Sequence, residues 1–407
     1  MNSSKRRATT ALCVVLAFGG AAAVAAAQDN EPTTRTEAIE QEKAKKSTEV
    51  KSYEPNKVEE WINRAEDLML SGRLHWHPFF QNAYSGGGFT LGAGYMRHVS
   101  AYNLFDVRGS ITFSGYKRIE AEFIAPRLFN RRGRLSAIGG WREATQVGFY
   151  GFGTGSTSKD DRANYSFKQP HVGATLDFWP TRRLWMLQGG MDVSQWDQGP
   201  GSGTDPSVEE VYTPATLPGL GASPTYVHSH GTLALDSRPS PGYARRGSYL
   251  GVTVHDFSDT DSQFGFSQVD YEGIQHLPLL RETWVLSLRA RVQTTFTKSD
   301  EEIPFFMLPA LGGGSSLRGF NSWRFRDRNS LLLQAEWRVM VNRFFETALF
   351  YDAGEVTART GDLDFTGLKD DYGIGIRFHG PLATPLRIDF AKSNEGLHIV
   401  FAASAVF

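Results

Sequence analysis

Leu311-Gly312-Gly313-Gly314-Ser315-Ser316-Leu317-Arg318-Gly319-Phe320 is too rich in glycine for a helix, and Arg318 is too polar for a strand facing lipid. The segments on either side of it alternate. Before it, Trp284, Leu286, Leu288, Ala290 and Val292 interleave with Ser287, Arg289, Arg291 and Gln293. After it, Leu331, Leu333, Ala335, Trp337 and Val339 interleave with Gln334, Glu336 and Arg338. A period of two gives each segment one apolar and one polar face. The quoted stretch is therefore a long connection between two amphipathic strands. Glycines around one fixed charge suit a loop that folds into a tight space and presents that charge. A flexible surface loop is the alternative that residue types leave open.

The same alternation runs outward from this stretch, from about residue 73 to the end. Leu104, Phe105, Val107, Gly109, Ile111 and Phe113 bracket Asp106, Arg108, Ser110 and Thr112. Ile119, Ala121, Phe123 and Ala125 bracket Glu120 and Glu122, and Leu135, Ala137, Gly139 and Trp141 bracket Ser136 and Arg142. Further strands are predicted around 162–178, 183–196, 225–237, 247–258, 264–276, 344–355, 370–379, 385–392 and 396–407, with one or two near 73–97. The count comes to fifteen or sixteen, and an even number suits a bacterial barrel, so the expectation is sixteen. The fold class is all-β, a transmembrane antiparallel barrel. No long helical pattern interrupts the run. Asn130 to Gly133 and Pro180-Thr181-Arg182 read as tight turns, and Gly199 to Pro224 as a long extracellular loop.

Strand phase tells which residues face inward. Phe345, Thr347, Leu349, Tyr351 and Ala353 face out, leaving Glu346 and Asp352 inside. Tyr372, Ile374, Ile376 and Phe378 face out, with Arg377 inside; Leu386, Ile388 and Phe390 face out, with Arg387 and Asp389 inside. Glu336 and Arg338 also point in. A mid-bilayer Arg or Lys on the lipid face costs about 2–4 kcal/mol, and these phases put every such charge in the lumen. If the quoted loop folds back into that lumen, Arg318 meets a wall carrying Asp352, Glu336 and Asp389. A guanidinium binds a carboxylate through two parallel hydrogen bonds, and Gly314 and Gly319 let the backbone pack against the wall.

The formal net charge is -1, which gives no electrostatic case for nucleic acid. Mean hydropathy is -0.34, too low for a helical membrane protein but compatible with a barrel, where only alternate residues meet lipid. Lys5, Arg6 and Arg7, the apolar run Ala11 to Val24 and Ala25-Ala26-Ala27 before Gln28 read as a signal peptide over residues 1–27, with an N-terminal anchor as the alternative. The single cysteine, Cys13, lies in that leader behind Leu12, which does not suit a lipobox. Residues 28–72 are expected to be periplasmic: a polar tail to residue 56, then a short amphipathic helix over 57–70 carrying Val58, Trp61, Ile62, Ala65, Leu68 and Met69, which reads first as a cap on the barrel's open end and second as a plug or docking helix. The barrel domain is expected over 73–407. Leu397, Ile399, Phe401, Ala403, Ala405 and Phe407 share one face, so Phe407 is expected to close the last strand.

His75 with His77, and His228 with His230, place two histidines on one strand face each. Without a third ligand visible in sequence they read as ordinary polar residues. Gly312-Gly313-Gly314 is followed by no Gly-Lys-Ser/Thr and no helix, so it is not a phosphate loop. No Gly-x-Ser-x-Gly motif appears. No cofactor, metal or catalytic residue is expected, and the chain is not read as an enzyme.

The glycine run leading into Leu317-Arg318-Gly319-Phe320 resembles the loop-six signature of the Omp85 superfamily, whose barrel is also called the bacterial surface antigen (D15) domain. Phe350-Tyr351-Asp352-Ala353-Gly354 resembles that family's Phe-x-Asp-x-Gly strand motif. Gly373-Ile374-Gly375-Ile376-Arg377, Pro381-Leu382 and Leu386-Arg387-Ile388-Asp389 resemble its last three strands, and the chain ends on Phe407 as these barrels commonly do. The resemblance implies an outer-membrane location and a structural lock in which Arg318 pairs with Asp352, with Gly319, Phe320 and Gly354 as its flanks. It also implies a C-terminal insertion signal at Phe401 and Phe407. Family members that assemble proteins carry periplasmic modules before the barrel, and residues 28–72 leave no room for one.

Besides an outer-membrane enzyme, for which the sequence offers no constellation, two functions compete. One is insertion or translocation of proteins or lipids through a weak seam between the first and last strands. The other is a passive pore or structural barrel with the Arg318 loop as plug. Expected partners are outer-membrane lipid and lipopolysaccharide, the machinery that would insert the barrel, a periplasmic protein docking on residues 57–70, and a second copy of the chain.

Overall fold

The computed structural model describes residues 36, 39, 75–155, 157–181, 184–298, 300–342, 344–379, 384, 386–402 and 404–407. The leader and the helix expected over 57–70 lie outside these residues.

Sixteen strands form one antiparallel sheet among the described residues. They are β1 (Trp76–Pro78), β2 (Thr90–His98), β3 (Leu104–Thr112), β4 (Lys117–Leu128), β5 (Gly133–Phe149), β6 (Ala163–Phe178), β7 (Trp185–Gln195, continued as Asp197–Pro200), β8 (Thr225–Asp236), β9 (Gly247–Asp259), β10 (Phe266–Leu280), β11 (Trp284–Thr297), β12 (Asn329–Met340), β13 (Phe345–Thr357), β14 (Lys369–Phe378), β15 (Leu386–Ser393) and β16 (Gly396–Ala402). The two pieces of β7 count as one strand broken at Trp196, because both pair with β6. Each strand pairs with the next in sequence, as short hairpin connections require. The terminal strands are short. β5 has 17 residues, whereas β1 has 3 and β16 has 7.

Alternation along the strands separates two faces. Leu349, Ile374 and Ile399 are 50%, 53% and 53% exposed on the outside, while Phe350, Gly375 and Asp389 beside them are buried. Ala353 is in outward phase yet is buried. Trp185, Trp284, Trp337, Phe344 and Phe378 stand exposed near the end with the shorter turns, as an interfacial aromatic girdle would. Strands distant in pairing order meet across the inside. Tyr243, between β8 and β9, donates to Glu346 Oε2 of β13 at 2.9 Å. The all-β barrel is thus filled with polar and charged side chains and faces its surroundings with apolar ones.

The tight turn after β4 runs through Phe129, Asn130 and Arg131 at positive φ of 49°, 57° and 66°. At the opposite end the connections are long, and they are packed rather than free. Phe305 of the 298–328 loop sits edge-on to Phe149 and Tyr165, with ring centroids 5.2 and 4.8 Å apart. Val208 and Leu217, from the connection after β7, are fully buried in the same cluster. A buried aromatic or aliphatic side chain contributes about 1.5–3 kcal/mol, enough for this cluster to cap the barrel.

Phe407 corrects the sequence reading. The last strand ends at Ala402, whose register partner is Arg387. β15 begins at Leu386, so beyond Ala402 its ladder soon runs out of partners. The Phe407 ring instead stacks on His276, 6.1 Å away at 14°, and lies 6.0 Å from the Arg289 guanidinium. His276 is buried on the inner face, so the terminal ring lies inside. Leu397, Ile399 and Phe401 do share the exposed outer face.

Candidate functional site

The 298–328 loop reaches the lumen because its glycines allow it to double back. Ala310–Leu311 pairs with Phe325–Arg326 in a two-residue ribbon. Gly312 and Gly313, at φ of 113° and 94°, turn the chain where a side chain would be strained. A Cβ at Gly312 would stand 2.2 Å from the Asn321 carbonyl oxygen. The Gly313 amide donates to the carbonyls of Leu317 and Phe320 at 3.0 and 3.2 Å, closing the tip. Leu311, Leu317, Phe320 and Phe325 pack with Leu332 and Val356 of the wall.

This tip presents Arg318. Its side chain is 0% exposed. Nε and Nη2 donate to the two oxygens of Asp352 at 2.6 and 2.8 Å, the bidentate fork. Nη1 donates to Glu336 Oε1 at 2.6 Å and to Asp389 Oδ2 at 3.4 Å. The guanidinium carbon lies 3.4 Å from the centroid of the Phe350 ring, which adds a cation–π contact. Burial disfavours the charged form, but the charges of Asp352 and Glu336 outweigh it and hold the Arg318 pKa above the ordinary arginine value.

The wall continues the pattern. Arg377 donates to Glu336, Arg338 donates to Glu346 at 2.7 Å, and Arg387 Nε lies 3.0 Å from Asp389. Four arginines thus face four carboxylates, all buried. Backbone contacts fix the loop to the same wall. Arg387 Nη2 donates to the Gly314 carbonyl at 2.6 Å, and the Ser393 hydroxyl donates to the Gly319 carbonyl at 2.6 Å. A Cβ at Gly319 would lie 2.5 Å from Asp371 Cβ, and one at Gly354 would lie 2.7 Å from the Leu331 carbonyl oxygen. Both glycines are therefore required by close approach. Phe320 is buried edge-on to Phe325, with centroids 5.1 Å apart.

The structure brings Arg318, Gly319, Phe320, Asp352 and Gly354 into one site. Phe401 and Phe407 lie apart from it. Periodicity placed Glu336, Arg377 and Asp389 inward, but the Phe350 platform, the Gln334 amide 3.1 Å from Asp352 Oδ1 and the Arg387–Gly314 contact follow from register, which alternation alone does not supply.

The same loop touches both sides of the wall's ends. Trp323 Nε1 donates to the Ser85 carbonyl between β1 and β2 at 2.8 Å. Arg324 pairs with Glu395 in the β15–β16 turn, Nη2 to Oε1 at 2.8 Å. A Cβ at Gly314 would come 2.6 Å from Val400 of β16.

The Omp85 superfamily domain model matches residues 103–396. The chain belongs to the Omp85 superfamily. Among solved structures, this Omp85 chain resembles BamA from Haemophilus ducreyi lacking POTRA domains 1–3, at 15% identity and a TM-score of 0.58, over 81% of this chain and 68% of that one. It also resembles CdiB from Escherichia coli, at 11% identity and a TM-score of 0.51, over 81% of this chain and 59% of that one. At such identities the likeness is one of fold. No curated protein sequence matches the chain. As an Omp85 barrel it resides in the bacterial outer membrane and is not an enzyme.

Proposed function

We propose that this barrel inserts or translocates polypeptide or lipid at the outer membrane, through the seam between β1 and β16. The observation that carries this reading is the size of β1. A three-residue strand has few backbone groups to hold a seam, whereas interior ladders such as β10–β11 run over a dozen residues. The loop supports it further, since Trp323 and Arg324 reach the two sides of that seam from within while Arg318 anchors to the wall. The loop then acts as a latch, fixed at Asp352 and able to bias whether the edges stay together. Residues 57–70 are the proposed dock for a periplasmic partner that would bring cargo.

The test is a barrel locked at the seam. Trp76→Cys and Phe401→Cys place thiols on outward-facing positions of β1 and β16, and Cys13 is the one native cysteine. A short bis-thiol linker joins them in cells depleted of the native chain, and the protein and lipid composition of the outer membrane is measured. Depletion should alter that composition, the unlinked variant should restore it, and the linked one should not. Full restoration by the linked barrel would remove the seam mechanism. An outer membrane unchanged on depletion, with ion conductance through the purified barrel, would favour a passive pore.

A further inference from the structure

The wall opposite in strand order to the Arg318 anchor carries a cluster that the sequence divides among three strands. His228 and His230 lie two apart on β8 and so share a face. His255 of β9 is the register partner of His230, and Asp192 of β7 is the register partner of His228. Their neighbours Met191, Val193 and Val254 point outward and are exposed, so the four polar side chains point into the lumen.

The geometry points to a binding site for a late first-row divalent metal ion of the zinc class. Asp192, His228 and His230 are the ligands, with His255 hydrogen-bonded to His228 beside them. His228 Nδ1 stands 2.7 Å from Asp192 Oδ1. An ionised carboxylate only accepts, so without an ion the proton sits on Nδ1, and Nε2 accepts from His255 Nδ1. Nε2 faces His255 Nδ1 at 3.0 Å. Two nitrogens bound tetrahedrally to one ion at about 2.0–2.1 Å stand about 3.3 Å apart, so His255 joins the ion only if the proton between the two rings leaves and they part by a few tenths of an ångström.

His230 supplies the second nitrogen. Its ring is stacked beside His228, centroids 5.4 Å apart at 25°, and its buried Nδ1 has no hydrogen-bond partner. A buried donor or acceptor without a partner calls for an explanation, and an ion provides one. The donor atoms of Asp192, His228 and His230 lie within 4.8 Å of one another. Two further residues shape the site. A Cβ at Gly190 would stand 2.3 Å from His230 Cε1, so glycine there gives the imidazole its room. Phe257 lies flat on His228, centroids 4.1 Å apart at 8°. Imidazole donors select zinc, copper or nickel over magnesium or calcium.

The experiment uses the full mature chain, folded in detergent and stripped with chelator. Zinc is titrated calorimetrically, and cobalt is added separately to read its ligand-field spectrum. Expected are saturable binding of one zinc ion per barrel, no heat with magnesium, and cobalt bands typical of a nitrogen-rich, low-symmetry site. Asp192→Asn should weaken zinc binding about 10- to 100-fold, and His228→Ala should weaken it further. Each variant is checked for the folded, heat-modifiable form. Absence of saturable zinc binding, or zinc binding by His228→Ala equal to that of the parent, would overturn the site. If His228→Ala does not fold, the cobalt spectrum of the unaltered barrel decides, and an octahedral water-like spectrum rejects the proposal.

Discussion

Against the wall built by β12–β15, Arg318 of the inserted loop and Arg338, Arg377 and Arg387 of the strands are buried with Glu336, Glu346, Asp352 and Asp389, each within reach of an opposite charge. On the wall built by β7–β9, the histidines and Asp192 stay only partly covered, with side-chain exposures of 14% for His228 and 31% for Asp192. The difference teaches where charge becomes structural. Sealed from water, a guanidinium without its carboxylates is costly, so the first wall holds its loop by making removal of any one partner expensive. Where water enters, the same groups can change partner or bind an ion at little cost.

The largest effect should come from Arg318→Ala. It leaves Asp352 buried without its cation and Glu336 with Arg377 alone, and a loss of about 3–5 kcal/mol is expected. The temperature at which the folded band disappears on a gel would report it. Asp352→Ala should be comparable, and the double variant no worse than either single; additive losses would show that the two residues do not interact. Next comes Gly319→Val, which drives a side chain into Asp371 and should release the tip from the wall. Proteolysis within 298–328 that is slow in the parent and fast in this variant would show it. If the loop remains protected, the tip is not held by close approach.

Arg324→Ala is expected to be milder, about 1.5–3 kcal/mol, the usual value of hydrogen bonds to a charged group. It touches the latch and not the anchor, so the protease pattern at the tip should stay unchanged while cross-linking between β1 and β16 positions becomes less efficient. The smallest effect should be His228→Ala, below about 1 kcal/mol in the absence of metal, because its hydrogen bond to Asp192 is partly exposed. Should it destabilise the barrel as much as Arg318→Ala, the contrast between the two walls fails.

Much of the anchor is legible in the sequence. Phase alone put Glu336, Glu346, Asp352, Arg377, Arg387 and Asp389 on the inside, because an amphipathic strand in lipid has one permitted orientation. What phase does not give is which residue stands beside which on the next strand. Hence the pairing of Arg377 with Glu336 and the meeting of Asp192 with three histidines both stayed hidden, the latter across strands separated by the long 201–224 connection. Phe407 was misplaced for a related reason. Alternation continues in the sequence past the point where β15 can offer a hydrogen-bonding partner.

The position of Arg318 also bears on the order in which the protein can be made. A loop tip enclosed within a finished wall cannot easily be threaded in afterwards, so it must settle while the sheet is still open. All the carboxylates it binds come from β12, β13 and β15, within 71 residues downstream. Closing contacts over so short a length of chain costs little entropy compared with joining the two ends of the wall. The C-terminal third is therefore suited to act as a folding nucleus, around which the earlier strands wrap, leaving β1 as the last strand to settle.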